Sequence, residues 1–237
     1  LKKAGLSTLP GTAAEILHDE VRAKICPDKL STREWIEVME TAHGVGFNTT
    51  ATIMYGHVER PHHWASHLLE VKALQQRTNG FTEFVPLPYV HMEAPMFLKG
   101  KSRSGPTFRE AILMHSVSRL VFHGLIPNIQ TSWVKMGEKG VIACLQAGAN
   151  DLGGTLMNES ITRAAGANYG QEWPPAMIEQ TIKSISRTPR MRTTLYQDAP
   201  DPRRKLAFNA VTLKEIENNS AGKLQRSKRL GNLAQVS

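Results

Sequence analysis

Apolar and polar positions alternate along this chain in short blocks of two kinds. Leu6-Ser-Thr-Leu9 reads as a buried strand, and Pro10-Gly11 turns out of it. A helix-like stretch follows from Ala13 to Lys24. Ser31-Thr-Arg-Glu34 has capping-box spacing: the serine hydroxyl can accept the third amide, and the glutamate can reach back. The helix behind it sets Trp35, Val38, Met39 and Ala42 on one face and stops at Gly44 and Gly46. Phe47 to Tyr55 is β-branched and aromatic, hence a strand, broken at Gly56. Pro61 suits a first helical position, with Trp64, Leu68, Val71 and Leu74 as the stripe behind it and Asn79-Gly80 as the stop. Phe81 to Val85 is a third strand, closed by Pro86 and Pro88.

A long loop runs from Tyr89 to Gly105, and Pro106 opens a helix carrying Ala111, Ile112, His115, Leu120 and Val121 up to Gly124. Ile126 to Trp133 and Ala149 to Leu152 read as strands, with a helix from Gly140 to Gln146 between them. A further helix is expected near Glu159 to Ala165, and Pro174-Pro175 opens one bearing Met177, Ile178, Ile182 and Ile185. The periodicity fades after Pro189.

Strand and helix thus alternate about five times, the signature of βα units on a parallel sheet. The fold class expected is α/β, the C-terminal part of a (β/α) TIM-type barrel over residues 1–188, with a basic extension over 189–237. A complete eight-stranded barrel takes about 250 residues, so about three units are expected ahead of Leu1. In such barrels the chemistry sits where strands lead into helices. Three of those junctions are glycine-marked and polar: Pro10-Gly11, Tyr55-Gly56-His57 and Asn150-Asp-Leu-Gly-Gly154.

Charge refines this picture. The net charge is +8, from 29 basic and 21 acidic residues, and all of it arises after residue 182, where 12 basic face 4 acidic side chains. Arg187, Arg190, Arg192, Arg203, Arg204, Lys205, Lys223, Arg226, Lys228 and Arg229 carry most of the excess. A solvated, partly disordered extension is the expectation, because no aromatic interleaving accompanies the charges, and a nucleic-acid partner is not indicated. No apolar run approaches the length of a membrane span. Two cysteines, Cys26 and Cys144, exclude a disulfide framework and fit buried residues of a reducing, cytoplasmic compartment. His57, His62, His63 and His67 cluster locally, and His63 and His67 have the helical spacing of a metal pair. No HExxH pattern accompanies them, so capping or surface histidines are expected and no metal ligand is nominated.

Four polar groups fall at strand ends: Thr12 with Glu15; Thr50, Thr52, Tyr55, His57 and Glu59; Thr82, Glu83 and His91; and Gln130, Ser132, Asn150 and Asp151. In a barrel they are expected to meet at one mouth and bind a multi-hydroxyl ligand through directional hydrogen bonds. Taken singly, each could instead cap a neighbouring helix.

Five ordered segments carry a resemblance: Gly5-Leu-Ser-Thr-Leu-Pro-Gly-Thr-Ala-Ala-Glu15, Thr52-Ile-Met-Tyr-Gly-His-Val-Glu59, Thr82-Glu-Phe-Val-Pro86, Ile129-Gln-Thr-Ser-Trp133 and Gly148-Ala-Asn-Asp-Leu-Gly-Gly154. Over about residues 1–200 the chain resembles the radical S-adenosylmethionine family, in its tyrosine-using 4-hydroxybenzyl transferase branch of deazaflavin synthesis. The resemblance implies a 4Fe–4S cluster and S-adenosylmethionine as cofactors, with L-tyrosine and 5-amino-6-(D-ribitylamino)uracil as substrates. It implies that the radical generated from S-adenosylmethionine takes a hydrogen from tyrosine, whose 4-hydroxybenzyl fragment then joins the uracil. The family's CxxxCxxC loop is absent from this sequence, so the cluster ligands are expected in an N-terminal remainder and the chain is expected to be inactive alone. Glu15, Arg22, Thr52, Tyr55, Gly56 and Glu59 are implied on S-adenosylmethionine, with Arg22 suited to its carboxylate. The Thr52–Glu59 segment is similar to a GxIxGxxE strand, but Thr52 replaces its first glycine and Met54 its isoleucine. Thr12, Thr50, His57, Thr82, Glu83, His91, Gln130, Ser132, Asn150 and Asp151 are implied on the two substrates. Two other readings stand beside this one: a sister enzyme of futalosine-type menaquinone synthesis, and a non-catalytic fragment that binds through its basic tail.

Overall fold

The computed structural model describes residues 1–11, 13–156, 159–167 and 169–213. Among the described residues four parallel strands lie in the order β1-β2-β3-β4: β1 Thr8–Leu9, β2 Asn48–Tyr55, β3 Phe81–Pro88 and β4 Asn128–Ile129. A parallel bridge from Gln130 to Asp151 adds the start of a fifth strand position. Helices α1 (Asp19–Ile25) and α2 (Thr32–Gly44) connect β1 to β2, and α3 (Pro61–Thr78) connects β2 to β3. Between β3 and β4 run α4 (Pro95–Leu98) and α5 (Phe108–Val121), and α6 (Trp133–Gln146) follows β4. The rest is α7 (Ile161–Ala164), α8 (Pro175–Ser184) and α9 (Asp201–Phe208). This is the α/β class expected, a run of βα units consistent with part of a TIM-type barrel.

The register decides which side chains face which layer. Ala51, Ile53 and Tyr55 of β2 and Phe84 of β3 are fully buried in one core with Trp35, Leu68, Leu74, Met114 and Phe122 from α2, α3, α5 and the turn after α5. Alternation then sends Thr50, Thr52 and Met54 to the opposite side. Their Cα partners across the ladder are Glu83, Val85 and Leu87. That second side, away from α2, α3 and α5, is the inner face of the sheet.

Local chemistry explains the boundaries. The Ser31–Glu34 capping box is formed in both directions and starts α2 at Thr32. A second box, Thr107 with Glu110, starts α5 at Phe108 rather than at Pro106. The helix expected from Ala13 begins only at Asp19, because Ala13 (φ 63°) and Glu15 (φ 44°) hold left-handed backbone. β3 does not stop at Val85 but continues through both prolines to Pro88. Phe84 O accepts from Gln130 N on the β4 side, so Pro86 and Pro88, of the same parity, point their missing N–H where no ladder continues. The helix expected from Gly140 starts at Trp133 and breaks at Gly137, whose backbone (φ 64°, ψ 173°) passes the Tyr169 ring. Val38, assigned to a buried stripe by periodicity, is exposed, as are the helical residues Leu120 and Met177.

Candidate active-site face

The expected convergence at one mouth divides into three places. On the inner face stand Thr50 and Thr52 of β2, Glu83 of β3, Asn128 of β4, and Gln130 and Asp151 of the following bridge. Thr50 Oγ accepts Gly11 N at 3.0 Å, and Thr52 Oγ donates to Gly11 O at 2.8 Å, so the two hydroxyls hold the Pro10-Gly11 turn. A side chain at position 11 would meet Thr50 O at 1.7 Å, which is why glycine stands there. Thr12 lies outside the described residues.

The base of this face is acidic and is met by the C-terminal segment. Glu83 is buried, and Asp151 Oδ1 accepts Gly153 N at 2.7 Å. Arg192 reaches both carboxylates, with Nε bonded to Asp151 and Nη2 3.4 Å from Glu83 Oε1. Burial pushes the Glu83 carboxyl above the usual carboxylate range; the neighbouring Asp151 charge adds to the push and Arg192 opposes it. Tyr196 covers Arg192, with the guanidinium 4.2 Å from the ring centre. Thr82 sits beside this group and donates to Thr49 O at 3.1 Å.

The second place is the turn above β2. Glu59 is buried and accepts from Gly56 N, from His57 N at 2.8 Å and from Trp64 Nε1 at 3.0 Å, with Arg103 Nη2 3.3 Å away. Burial alone would raise its carboxyl, but the His57 side chain and the Gly56 amide offset that and hold it well below the usual range. His57 Nε2 lies 3.0 Å from Met54 O and Nδ1 3.0 Å from Glu59 Oε2. Gly56 takes φ 99° against Pro106, so Gly56, His57 and Glu59 form a closed knot that fixes the top of the strand. Arg103 also pairs with Glu110 at 2.8 Å, tying this knot to α5.

The third place is a cavity of about 270 Å³ beyond the end of β3, lined by Tyr89, His91, Pro106, Lys135 and Met136 among others. Ser132, at the N-cap of α6, is buried one turn before Lys135. Burial lowers the Lys135 ammonium below its ordinary value. A larger cavity, about 530 Å³, runs along Asp151–Thr155 and is walled by α8 and residues 187–194.

Four residues do not share these surfaces. Tyr55 faces the helix layer, edge-on to Trp64, and burial pushes its phenol well above the ordinary value. Arg22 is buried and spends its guanidinium on backbone carbonyls of Ala13, Ala14 and Leu30, so it buttresses the loop after β1. Asn150 lies below the sheet, where it accepts Ile129 N at 2.8 Å and Arg119 Nη2 at 2.8 Å. Glu15, in the same loop, is held in an ion pair with Lys29 at 2.8 Å. Glu15, Tyr55, Glu83 and Asn150 therefore do not meet at one mouth: alternation along β2 turns Tyr55 outward, and Asn150 precedes its strand instead of ending it.

Residues the motifs missed are Asn128, Lys135, Arg192 and Tyr196. Asn128 was findable, since Asn128, Gln130 and Ser132 alternate with Ile129 and Thr131. Arg192 had no local signal, because its partner Glu83 is 109 positions away.

A parallel βα sheet with polar side chains along its inner face and a glycine turn above β2 is the architecture of part of a TIM-type barrel. Residues 78–205 match the family model described as the CofH/MqnC C-terminal region, and the chain belongs to that family. It is 51% identical over 197 residues to the 5-amino-6-(D-ribitylamino)uracil–L-tyrosine 4-hydroxyphenyl transferase of Methanocaldococcus jannaschii, covering 83% of this chain and 55% of that protein. It is 52% identical over 196 residues to the FO synthase of Mycobacterium leprae, covering 83% of this chain and 23% of that protein. The FO synthase of Streptomyces coelicolor is 49% identical over 206 residues, with 87% and 24% covered. The chain spans about half the length of the transferases and about a quarter of the FO synthases it matches.

Proposed function

We propose that this chain is the substrate-holding part of a radical S-adenosylmethionine enzyme that transfers the 4-hydroxybenzyl group of L-tyrosine to 5-amino-6-(D-ribitylamino)uracil. Identity of about half to transferases bearing that substrate pair in their names supports the choice over a menaquinone-pathway sister. The single observation that carries the reading is the row Thr50, Thr52, Glu83, Asn128, Gln130 and Asp151 on one face of the sheet. Hydroxyl, amide and carboxylate groups so arrayed suit a ligand with a ribityl chain and a uracil ring, each of which needs both donors and acceptors.

The residues present do not fit the iron–sulfur cluster. Cys26 and Cys144 are both buried, the first at the end of α1 and the second inside α6, and the chain holds no third thiol. Burial pushes both thiols up, Cys144 to about 11, the reverse of what a thiolate ligand needs. The N-terminal remainder of the enzyme is the source assigned to the cluster ligands, and this chain is assigned no activity by itself.

For S-adenosylmethionine the fit is narrower than the motif suggests. Gly56 and Glu59 keep the backbone above β2 in a fixed shape, while Thr52 presents the same strand to the inner face. Gln130 and Asp151 then stand across the sheet to orient a polar substrate, and Glu83, raised by its burial, is able to hold a proton near neutral pH. The work of these side chains is to bind and align. Reconstitution of the full-length enzyme with tyrosine and the diaminouracil should yield the coupled 4-hydroxybenzyl product by mass spectrometry. Turnover of futalosine-type substrates in its place would overturn the assignment. The cytoplasm is the compartment that fits this reading, and among the described residues no helix is long and apolar enough to cross a membrane.

A further inference from the structure

We propose that His18, Glu20 and His63 form a binding site for a divalent transition metal of the zinc type, which clamps the loop after β1 to the start of α3. The site lies apart from the inner face. His63 is the third residue of α3, and its Nδ1 accepts Arg60 N at 3.0 Å, which leaves Nε2 to point away from the helix. That Nε2 is buried and has no hydrogen-bond partner. His18 is the N-cap of α1, and its Nδ1 is likewise buried and unpartnered. The two rings stand edge to face with centroids 4.5 Å apart. Glu20 completes the group: its Oε2 is 3.9 Å from His63 Nε2, and one ligand atom from each of the three residues lies within 4.8 Å of the others.

Two buried ring nitrogens without partners, turned toward a carboxylate, are unsatisfied unless something binds between them. Two imidazoles and one carboxylate, with a position left open, form a donor set that zinc accepts readily. The carboxylate distinguishes a cation site from an anion site. Lys24 Nζ, 3.2 Å from Glu20 Oε1, is the competitor a metal would displace. The helical pair His63 and His67 is not the site. His67 turns inward and accepts Leu17 N at 2.9 Å, so it already fastens this loop to α3 one turn further on, and the metal would add a second fastening.

The test is calorimetric titration of the chelator-stripped 237-residue chain with zinc chloride at pH 7.5, followed by thermal melts. Expected are one zinc per chain at micromolar or tighter affinity and a rise in Tm of about 5 °C at saturation. His18→Gln, which keeps the helix-capping backbone, should weaken binding at least tenfold. Glu20→Gln, at an exposed position, should weaken it at least threefold without changing the metal-free melt. His123→Gln should leave it unchanged. Absence of saturable binding would overturn the proposal, as would equal losses in His18→Gln and His123→Gln, or an affinity unchanged in both His18→Gln and Glu20→Gln.

Discussion

His67 shows how much one buried side chain sets. It is fully buried, accepts the Leu17 amide, and burial lowers its titration to about 3. Unfolding restores the ordinary value near 6.5, so the unfolded chain binds a proton that the folded chain refuses. Its contribution to stability is therefore whole above pH 6.5 and is lost as pH falls toward 3, at about 1.4 kcal/mol per unit. His43, His63 and His115, also lowered by burial, tilt the same way. Urea unfolding at pH 7 and pH 5 should differ by about 2 kcal/mol or more, and His67→Gln should flatten that difference. At this scale the sequence displays which residues are polar but not the direction in which each one points. Thr50 and Tyr55 lie in one strand and both are polar, yet one faces the inner side and the other the helices, and only the register separates them. A guanidinium suits a carboxylate clamp, but three backbone carbonyls from the segments on either side of α1 claim that of Arg22.

At the level of elements the glycines and the Ser31 cap are legible and the strand ends are not. Both serine and threonine capping boxes act through neighbours within four positions, which a sequence displays. The continuation of β3 through Pro86 and Pro88 depends on which side of the strand lacks a partner, which is a tertiary fact. The stretch from Ala13 to His18 has a helical composition, whereas positive φ at Ala13 and Glu15 lets its backbone run alongside β2, with Glu15 O accepting Met54 N at 2.9 Å. Gly56→Ala should cost more than 2 kcal/mol in chemical unfolding, since φ 99° is strained for alanine and the new methyl would stand 2.2 Å from Pro106. Ser31→Ala, which removes one cap, should cost about 1 kcal/mol in the same assay.

In the whole molecule, one end of the sheet is closed by a distant part of the chain. Arg192 joins Glu83 and Asp151, and without it two neighbouring carboxylates would face each other in a buried place. Arg192→Ala should lower stability at neutral pH by about 2–3 kcal/mol, and Asp151→Asn in the same background should restore part of that loss. The basic C-terminal segment thus does more than carry charge, at least as far as Tyr196. The α/β class and the repeated βα units were legible from periodicity alone, and so was the polar character of the strands. That the polar groups form an inner row with a separate knot above β2 was not. The central claim is that this inner row holds the substrate. It is tested most directly by Gln130→Ala in the full-length enzyme, compared with Thr131→Val one residue along and on the opposite face. Loss of one hydrogen bond to substrate should raise KM for tyrosine or the diaminouracil about tenfold, with Thr131→Val unchanged. Unaltered KM values for both substrates in Gln130→Ala would contradict it.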